Sequence, residues 1–429
     1  MPFANYSYCY AGDGIYYIIC INPNWNEDYS KLLMFYRYNI ITKEVNSIPW
    51  DTSVSTTPSS PGNFGSSTEI TMAYYNNTIN VLFESGFYGG LQQFSISEGK
   101  IQVKSVYYLD NICPTSFIAQ EGSQADSSSQ RDVSRDRILF IDNGKLCISR
   151  SHIVYEYTDS RYPAFSYYYA GYAVYLVDID NPSETTMIIN EYKTGMGTCT
   201  IGSATDGIAF VDSETNSKYI FTYSYANAKV YKIENNTANL YWDCGNAIIE
   251  TYRHYNFARY KNGIIGISTY DNIISGESST DIDVIQIDII NSVYTYNRNI
   301  QTSMASQLYN VYDYSYIYNN NPSGHCNAFG GVNALYYDKW IYFYNDNRYY
   351  RVSIDGQFEV CNSDIHGSVV KSRYTDPYNL NIFFTSKADT ESGFIIIFNG
   401  DEGINIIAPD IQVQNTNTFI KVKEWERYE

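Results

Sequence analysis

Histidine is scarce in this chain, with four residues in 429 (His152, His254, His325 and His366), and no two of them stand at metal-ligand spacing. No GxSxG, HExxH, P-loop or GxGxxG context is present, which excludes the chemistries those motifs carry. Eight cysteines (Cys9, Cys20, Cys113, Cys147, Cys199, Cys244, Cys326 and Cys361) lie scattered without a CxxC pair. They read as reduced, small apolar residues of strands, and neither a zinc site nor a disulfide framework is expected. The nearest approach to a calcium loop, Asp281-Ile282-Asp283, lacks the glycine and terminal glutamate such a loop needs, and reads as acids alternating along a strand. No metal or cofactor is expected.

Positive charge is also in short supply: 28 Lys and Arg face 46 Asp and Glu, for a net charge of −18. Without a basic block to neutralise phosphates, nucleic acid is excluded as an expected partner, and an anionic membrane surface is disfavoured. No apolar run approaches the roughly 18 residues that would insert in a membrane. The start, Met1-Pro2-Phe3-Ala4-Asn5-Tyr6, has neither the basic end nor the apolar stretch of a secretory signal. The expected location is therefore a virion, reached by assembly, with the cytoplasm as the alternative.

What is abundant is tyrosine, 47 residues, in a chain that is 44% hydrophobic and rich in Asn, Ser, Thr and Ile. That composition favours strands joined by polar turns. An internal repeat organises them. From residue 5 to 50 a strand, the turn Ala11-Gly12-Asp13-Gly14, a second strand, a polar loop, a third strand, the turn Thr42-Lys43 and a fourth strand ending near Trp50 form one antiparallel meander. The same order returns at 68–109, 137–190, 203–243, 255–297, 331–362 and 368–408, with Asn76-Asn77, Glu98-Gly99, Asn143-Gly144 and Asn235-Asn236 where tight turns need positive φ. A lone four-stranded sheet leaves both faces bare, so the copies must stack face to face until a ring closes. The expected fold is all-β, a seven-bladed β-propeller of four-stranded antiparallel blades forming one domain over 1–429. The tail 412–429 would add a strand to the closing blade or reach a neighbour.

The most regular element is the hairpin between third and fourth strands, seen as Tyr36-Arg37-Tyr38-Asn39-Ile40-Ile41-Thr42-Lys43, Phe94-Ser95-Ile96-Ser97-Glu98-Gly99-Lys100 and Val352-Ser353-Ile354-Asp355-Gly356-Gln357-Phe358. In this hairpin, and in Trp50 and Trp242 at the closing position of their copies, the chain resembles the kelch family. The resemblance implies a kelch-like propeller over nearly the whole chain.

Three insertions break the period: Asp51 to Ser67, Asn111 to Arg135 and Asn297 to Gly324. The last carries Tyr309, Tyr312, Tyr314, Tyr316 and Tyr318, and a second cluster holds Tyr162, Phe165, Tyr167, Tyr168 and Tyr169. Tyrosine supplies rigid amphipathic area at low entropic cost, so these residues are the candidate binding surface. Their alternative reading is packing between blades or decoration of strand faces. With no catalytic motif, the expected function is a non-enzymatic binding or structural module, a phage tail or capsid appendage that attaches to virion neighbours or to host glycans. A cellular kelch-like adaptor is one alternative. The other is a carbohydrate-active enzyme using carboxylates that converge only in space.

Overall fold

The structure, a computed structural model, is described over residues 6–21, 33–39, 41–42, 44–51, 70–83, 90–114, 131–157, 166–197, 206–212, 214–224, 227–245, 256–272, 279–302, 334–337, 339–345, 348–361, 367–370, 381–386, 393–398, 404–407, 417–420 and 425–427. Strands dominate it. The first sheet is β1 (Tyr6–Gly12), β2 (Ile15–Ile21), β3 (Leu33–Asn39) and β4 (Glu44–Ile48). The second is β5 (Ile70–Tyr75), β6 (Thr78–Phe83), β7 (Gly90–Ser97) and β8 (Lys100–Tyr108), followed by a single helical turn α1 (Leu109–Ile112). The third is β9 (Arg131–Asp142), β10 (Lys145–Tyr157), β11 (Ser166–Asp178) and β12 (Thr185–Gly197); the fourth is β13 (Asp206–Val211), β14 (Lys218–Ser224), β15 (Asn227–Glu234) and β16 (Thr237–Gly245). The fifth is β17 (Asn256–Tyr260), β18 (Gly263–Asn272), β19 (Ser279–Asp288) and β20 (Val293–Thr302). The sixth and seventh are β21 (Ala334–Tyr337), β22 (Trp340–Asn345), β23 (Arg348–Ser353), β24 (Phe358–Cys361), and β25 (Gly367–Val370), β26 (Asn381–Ser386), β27 (Gly393–Phe398), β28 (Ile404–Ile407).

In each of these sheets sequence neighbours are sheet neighbours, the plain meander that the repeat predicts. The tail supplies two further strands, β29 (Asn417–Ile420) on the outer edge of β28 and β30 (Trp425–Arg427) on the outer edge of β24. The tail thus joins the last sheet and also reaches the one before. The turns carry the expected positive φ: Asn76 and Asn77 at 45° and 58°, Glu98 and Gly99 at 52° and 74°, Asn143 and Gly144 at 47° and 77°. Those backbone values match the right-handed twist of the flanking strands.

The chain divides into two compact units, the first holding residues 3–209 and 233–239, the second 210–232 and 240–429. In the first unit, alternate residues of the first two sheets interdigitate: Cys9, Ile19, Leu33, Phe35 and Ile48 meet Ile70, Met72, Ile79, Val81, Phe83, Phe94 and Ile101. Trp50 staples this joint. Its indole Nε1 donates to the Leu33 carbonyl at 2.9 Å, its ring lies against Phe35 and Phe94, and the backbone around it pairs with Ile101. Polar contacts join the second and third sheets: Gln93 Nε2, which also donates to Asn80 Oδ1 of its own sheet (2.9 Å), donates to the Ile179 carbonyl (2.7 Å), and Ile138 N–H donates to Thr71 Oγ1 (2.9 Å). In the second unit, Ala258, Ile265, Ile267 and Val284 of the fifth sheet pack on Ile341, Val352 and Phe358 of the sixth. Trp242 stacks on Tyr294 with ring centroids 6.5 Å apart.

In the third copy, expected over 137–190, β9 to β12 run 12 to 13 residues each, from Arg131 to Gly197. Tyr167, Tyr168 and Tyr169 are residues of β11, opposite Glu156, Tyr155 and Val154 of β10. The helical turn α1, with Leu109 and Ile112 buried, runs into the start of the insertion Asn111 to Arg135. Tyr162, Phe165, Tyr309, Tyr312, Tyr314, Tyr316 and Tyr318 lie outside the described residues.

Buried tyrosines impose a pH dependence. On the first sheet, burial pushes the Tyr38 phenol up to about 12, and on the third sheet burial does the same to Tyr175. An unfolded tyrosine releases its proton near the usual value of about 10, so between these pH values the unfolded chain holds fewer protons than the folded one. The stability these groups contribute is complete below pH 10 and is lost as pH rises toward 12. Denaturant midpoints measured from pH 8 to 12 should be flat and then fall; a midpoint unchanged to pH 12 would contradict this.

Candidate functional site

The strongest concentration of charge in the first unit lies where β8 hands over to β9. Arg150, in the middle of β10, is only 4% exposed, and Asp136 stands directly opposite it on β9 at 2%. The pair is bidentate: Arg150 Nε donates to Asp136 Oδ1 at 3.0 Å and Nη2 to Oδ2 at 3.2 Å. Its Nη1 reaches across to α1, donating to Asp110 Oδ1 at 2.7 Å and to the Cys113 carbonyl. Four of the five guanidinium donors are thus engaged. From β11, Tyr175 Oη donates to the Pro114 carbonyl at 2.6 Å, and Cys113 N–H closes α1 onto the Leu109 carbonyl at 2.7 Å. Two strands, β10 through Arg150 and β11 through Tyr175, hold residues 109–114 in place.

Electrostatics follow from that geometry. Burial alone would lower the pKa of the guanidinium, but the facing Asp136 charge and the bonds to both aspartates outweigh it and drive the pKa further up. Burial raises the Cys113 thiol well above its usual range, against the opposing pull of Arg150, so it is a packed thiol and no nucleophile. Cys9, Cys147 and Cys244 are likewise buried thiols outside any disulfide. Asp110 differs from all of these: its carboxylate is pinned by Arg150 yet its side chain remains 59% exposed. Two residues earlier, Tyr108 is 55% exposed. A fixed, solvent-facing acceptor next to an open aromatic is suited to holding hydroxylated ligands or to taking a proton from water.

A second polar centre lies in the sixth sheet, where Arg351 Nε donates to Glu359 Oε2 at 2.7 Å and its guanidinium lies 4.2 Å from the Trp340 ring centroid. All three are buried, so this centre is a packing element. Asp283 of the Asp281-Ile282-Asp283 string sits at an irregularity of the β19 ladder and is 1% exposed. Among the described residues no group of three or more His, Cys, Asp or Glu side chains could hold a metal ion. Among them, too, no helix is long and apolar enough to cross a membrane.

Reasoning from sequence did not single out Asp110, Asp136 or Arg150. No local pattern announced the pair: the register set by the Asn143-Gly144 turn, with Asp142 opposite Lys145, would place Arg150 opposite Arg137, and a shift between Cys147 and Ile148 places it opposite Asp136 instead.

No protein-family model matches the chain, and no curated protein resembles it in sequence. Among solved structures it is similar to a proposed 6-phosphogluconolactonase of Bacteroides uniformis (9% identity, TM-score 0.34, covering 83% of this chain and 97% of that one). It is also similar to the Nup133 β-propeller domain of Vanderwaltozyma polyspora (9%, TM-score 0.28, 66% and 72%). A third is the catalytic domain of a GH62 α-L-arabinofuranosidase of Coprinopsis cinerea (11%, TM-score 0.27, 75% and 84%). The expectation of a non-enzymatic virion module is corrected here and not carried further: the similar structures bear the names of a 6-phosphogluconolactonase, a β-propeller domain and an α-L-arabinofuranosidase.

Proposed function

We propose that the chain is a carbohydrate-active enzyme built on a β-propeller, with Asp110 and Tyr108 at its working surface. The observation that carries this reading is the Asp110 carboxylate, more than half exposed while held at 2.7 Å by a buried arginine. Asp110 accepts from sugar hydroxyls or takes a proton from the attacking water; Tyr108 offers a ring face for the apolar side of a pyranose. Asp136 and Arg150 position Asp110 and do not touch substrate, because both are shielded from solvent. Glycoside cleavage needs a second acid, and lactone opening needs only the activated water, so both bond types belong in the test.

The finer architecture is part of the same proposal: seven blades in one ring, kelch-like in their closing tryptophans. It is supported by the repetition of the meander and by the first sheet, whose Phe35 and Ile19 are buried on one face and whose Tyr8, Tyr16 and Tyr38 are buried on the other. Tyr309, Tyr312, Tyr314, Tyr316, Tyr318, Tyr162, Tyr167, Tyr168 and Tyr169 are carried in it as glycan contacts.

The test is a panel of chromogenic glycosides and sugar lactones. The expected result is turnover of at least one, with Tyr108→Ala raising KM and leaving kcat nearly unchanged, as loss of uniform binding does. A folded chain that turns over no member of the panel would sink the proposal.

A further inference from the structure

The two fifth strands come from one short segment. β29 pairs antiparallel with β28 through Ile404↔Ile420, Asn405↔Phe419, Ile406↔Thr418 and Ile407↔Asn417. Only residues 421–424 separate it from β30, which pairs antiparallel with β24 through Glu359↔Arg427, Val360↔Glu426 and Cys361↔Trp425. The outer edges of the sixth and seventh sheets, each a row of backbone donors and acceptors, are thus covered by the same segment.

Three features show how that segment is held. Its ladders are four and three residues long, so little backbone pairing has to break for it to leave. The connection from β28 to β29 is nine residues, 408–416, whereas an antiparallel hairpin needs roughly two to five. Fully extended, nine residues reach about 30 Å. Charge fits as well: the register sets Arg427 opposite Glu359, the acid that already accepts from Arg351.

We propose that the outer edges of β24 and β28 form a strand-docking surface whose occupant is the C-terminal segment 417–427, and that this segment is exchangeable between copies, giving a dimer by tail exchange. The same donors and acceptors serve in either arrangement, so each ladder bond broken within one chain is remade between two. The dimer grows with salt, because two chains of net charge −18 repel less when screened.

The experiment uses two full-length preparations carrying different tags, refolded together at high protein concentration in low and high salt. Light scattering and tag capture then measure a mixed dimer. Hydrogen exchange over 417–427 is followed in the native monomer. Wild type should give a mixed dimer that increases with salt. Phe419→Pro, which puts a proline opposite Asn405 in the middle of the short ladder, should abolish it, and Arg427→Glu, which sets like charges opposite one another, should speed exchange over 425–427 by about tenfold. A mixed dimer that persists undiminished in Phe419→Pro would overturn the proposal, as would the absence of any dimer in wild type. Should Phe419→Pro fail to fold, Arg427→Glu decides: exchange over 425–427 no faster than in wild type overturns it.

Discussion

Replacing Arg150 with Met is expected to destabilise the protein by about 3–5 kcal/mol, because it strands a buried carboxylate. Asp136 is 2% exposed and takes both of its guanidinium bonds from Arg150; without them the charge has neither a partner nor water. The same substitution frees the Cys113 carbonyl and Asp110, so α1 loses its anchor to the third sheet. Denaturant unfolding measures the loss. The sign of the double variant is informative too: Arg150→Met with Asp136→Leu replaces the pair by apolar groups and should recover much of the damage done by Arg150→Met alone. A loss below about 1 kcal/mol, the range of exposed pairs, would contradict the account of this cluster.

Phe94→Ala is expected to cost a similar amount, about 3–5 kcal/mol, through the cavity it leaves. Phe94 is fully buried on β7, with its ring centroid 4.9 Å from that of Phe35 and 5.9 Å from that of Trp50. Trp50 is anchored by its bond to Leu33 and by the strand pairing around it, so it cannot follow the shrinking side chain, and the joint between the first two sheets stays open. Scanning calorimetry reads this as a lower unfolding temperature; an unfolding temperature equal to wild type would show that the joint is not what the packing indicates.

These two positions also show what a single sequence reveals and what it hides. The meander and its turns were legible because Asn-Asn, Asn-Gly and Glu-Gly pairs state a local backbone requirement, and the positive φ values at Asn76, Glu98 and Asn143 meet it. The two tryptophans that sequence put at one closing point differ in the structure: Trp50 lies beyond the end of β4, in an isolated bridge to Ile101, and Trp242 lies within β16. The third sheet was misjudged because Arg150-Ser151-His152 reads as the polar end of a strand. What lets β10 run on to Tyr157 is the neutralisation of Arg150 by Asp136, a cross-strand fact that no local pattern contains. The alternation at 419–423 announced a strand in the tail, but the choice of β28 for one piece and β24 for the next depends on which edges lie open.

The candidate site was less legible than the fold. With 47 tyrosines in the chain, clusters of them draw attention by abundance alone. An aspartate at the edge of a polar insertion draws none, and Asp110 becomes distinctive only when a buried arginine from a strand 40 residues later takes hold of it.

The central claim is that Asp110 works on a carbohydrate. It is tested most directly by comparing kcat/KM of wild type and Asp110→Asn on the best substrate of the panel, with the unfolding temperature of each recorded alongside. The account predicts a loss of about a hundredfold or more, the scale of a missing acid–base group, at an unfolding temperature close to wild type, since Asn keeps the shape of the side chain. Equal kcat/KM in the two proteins would contradict it.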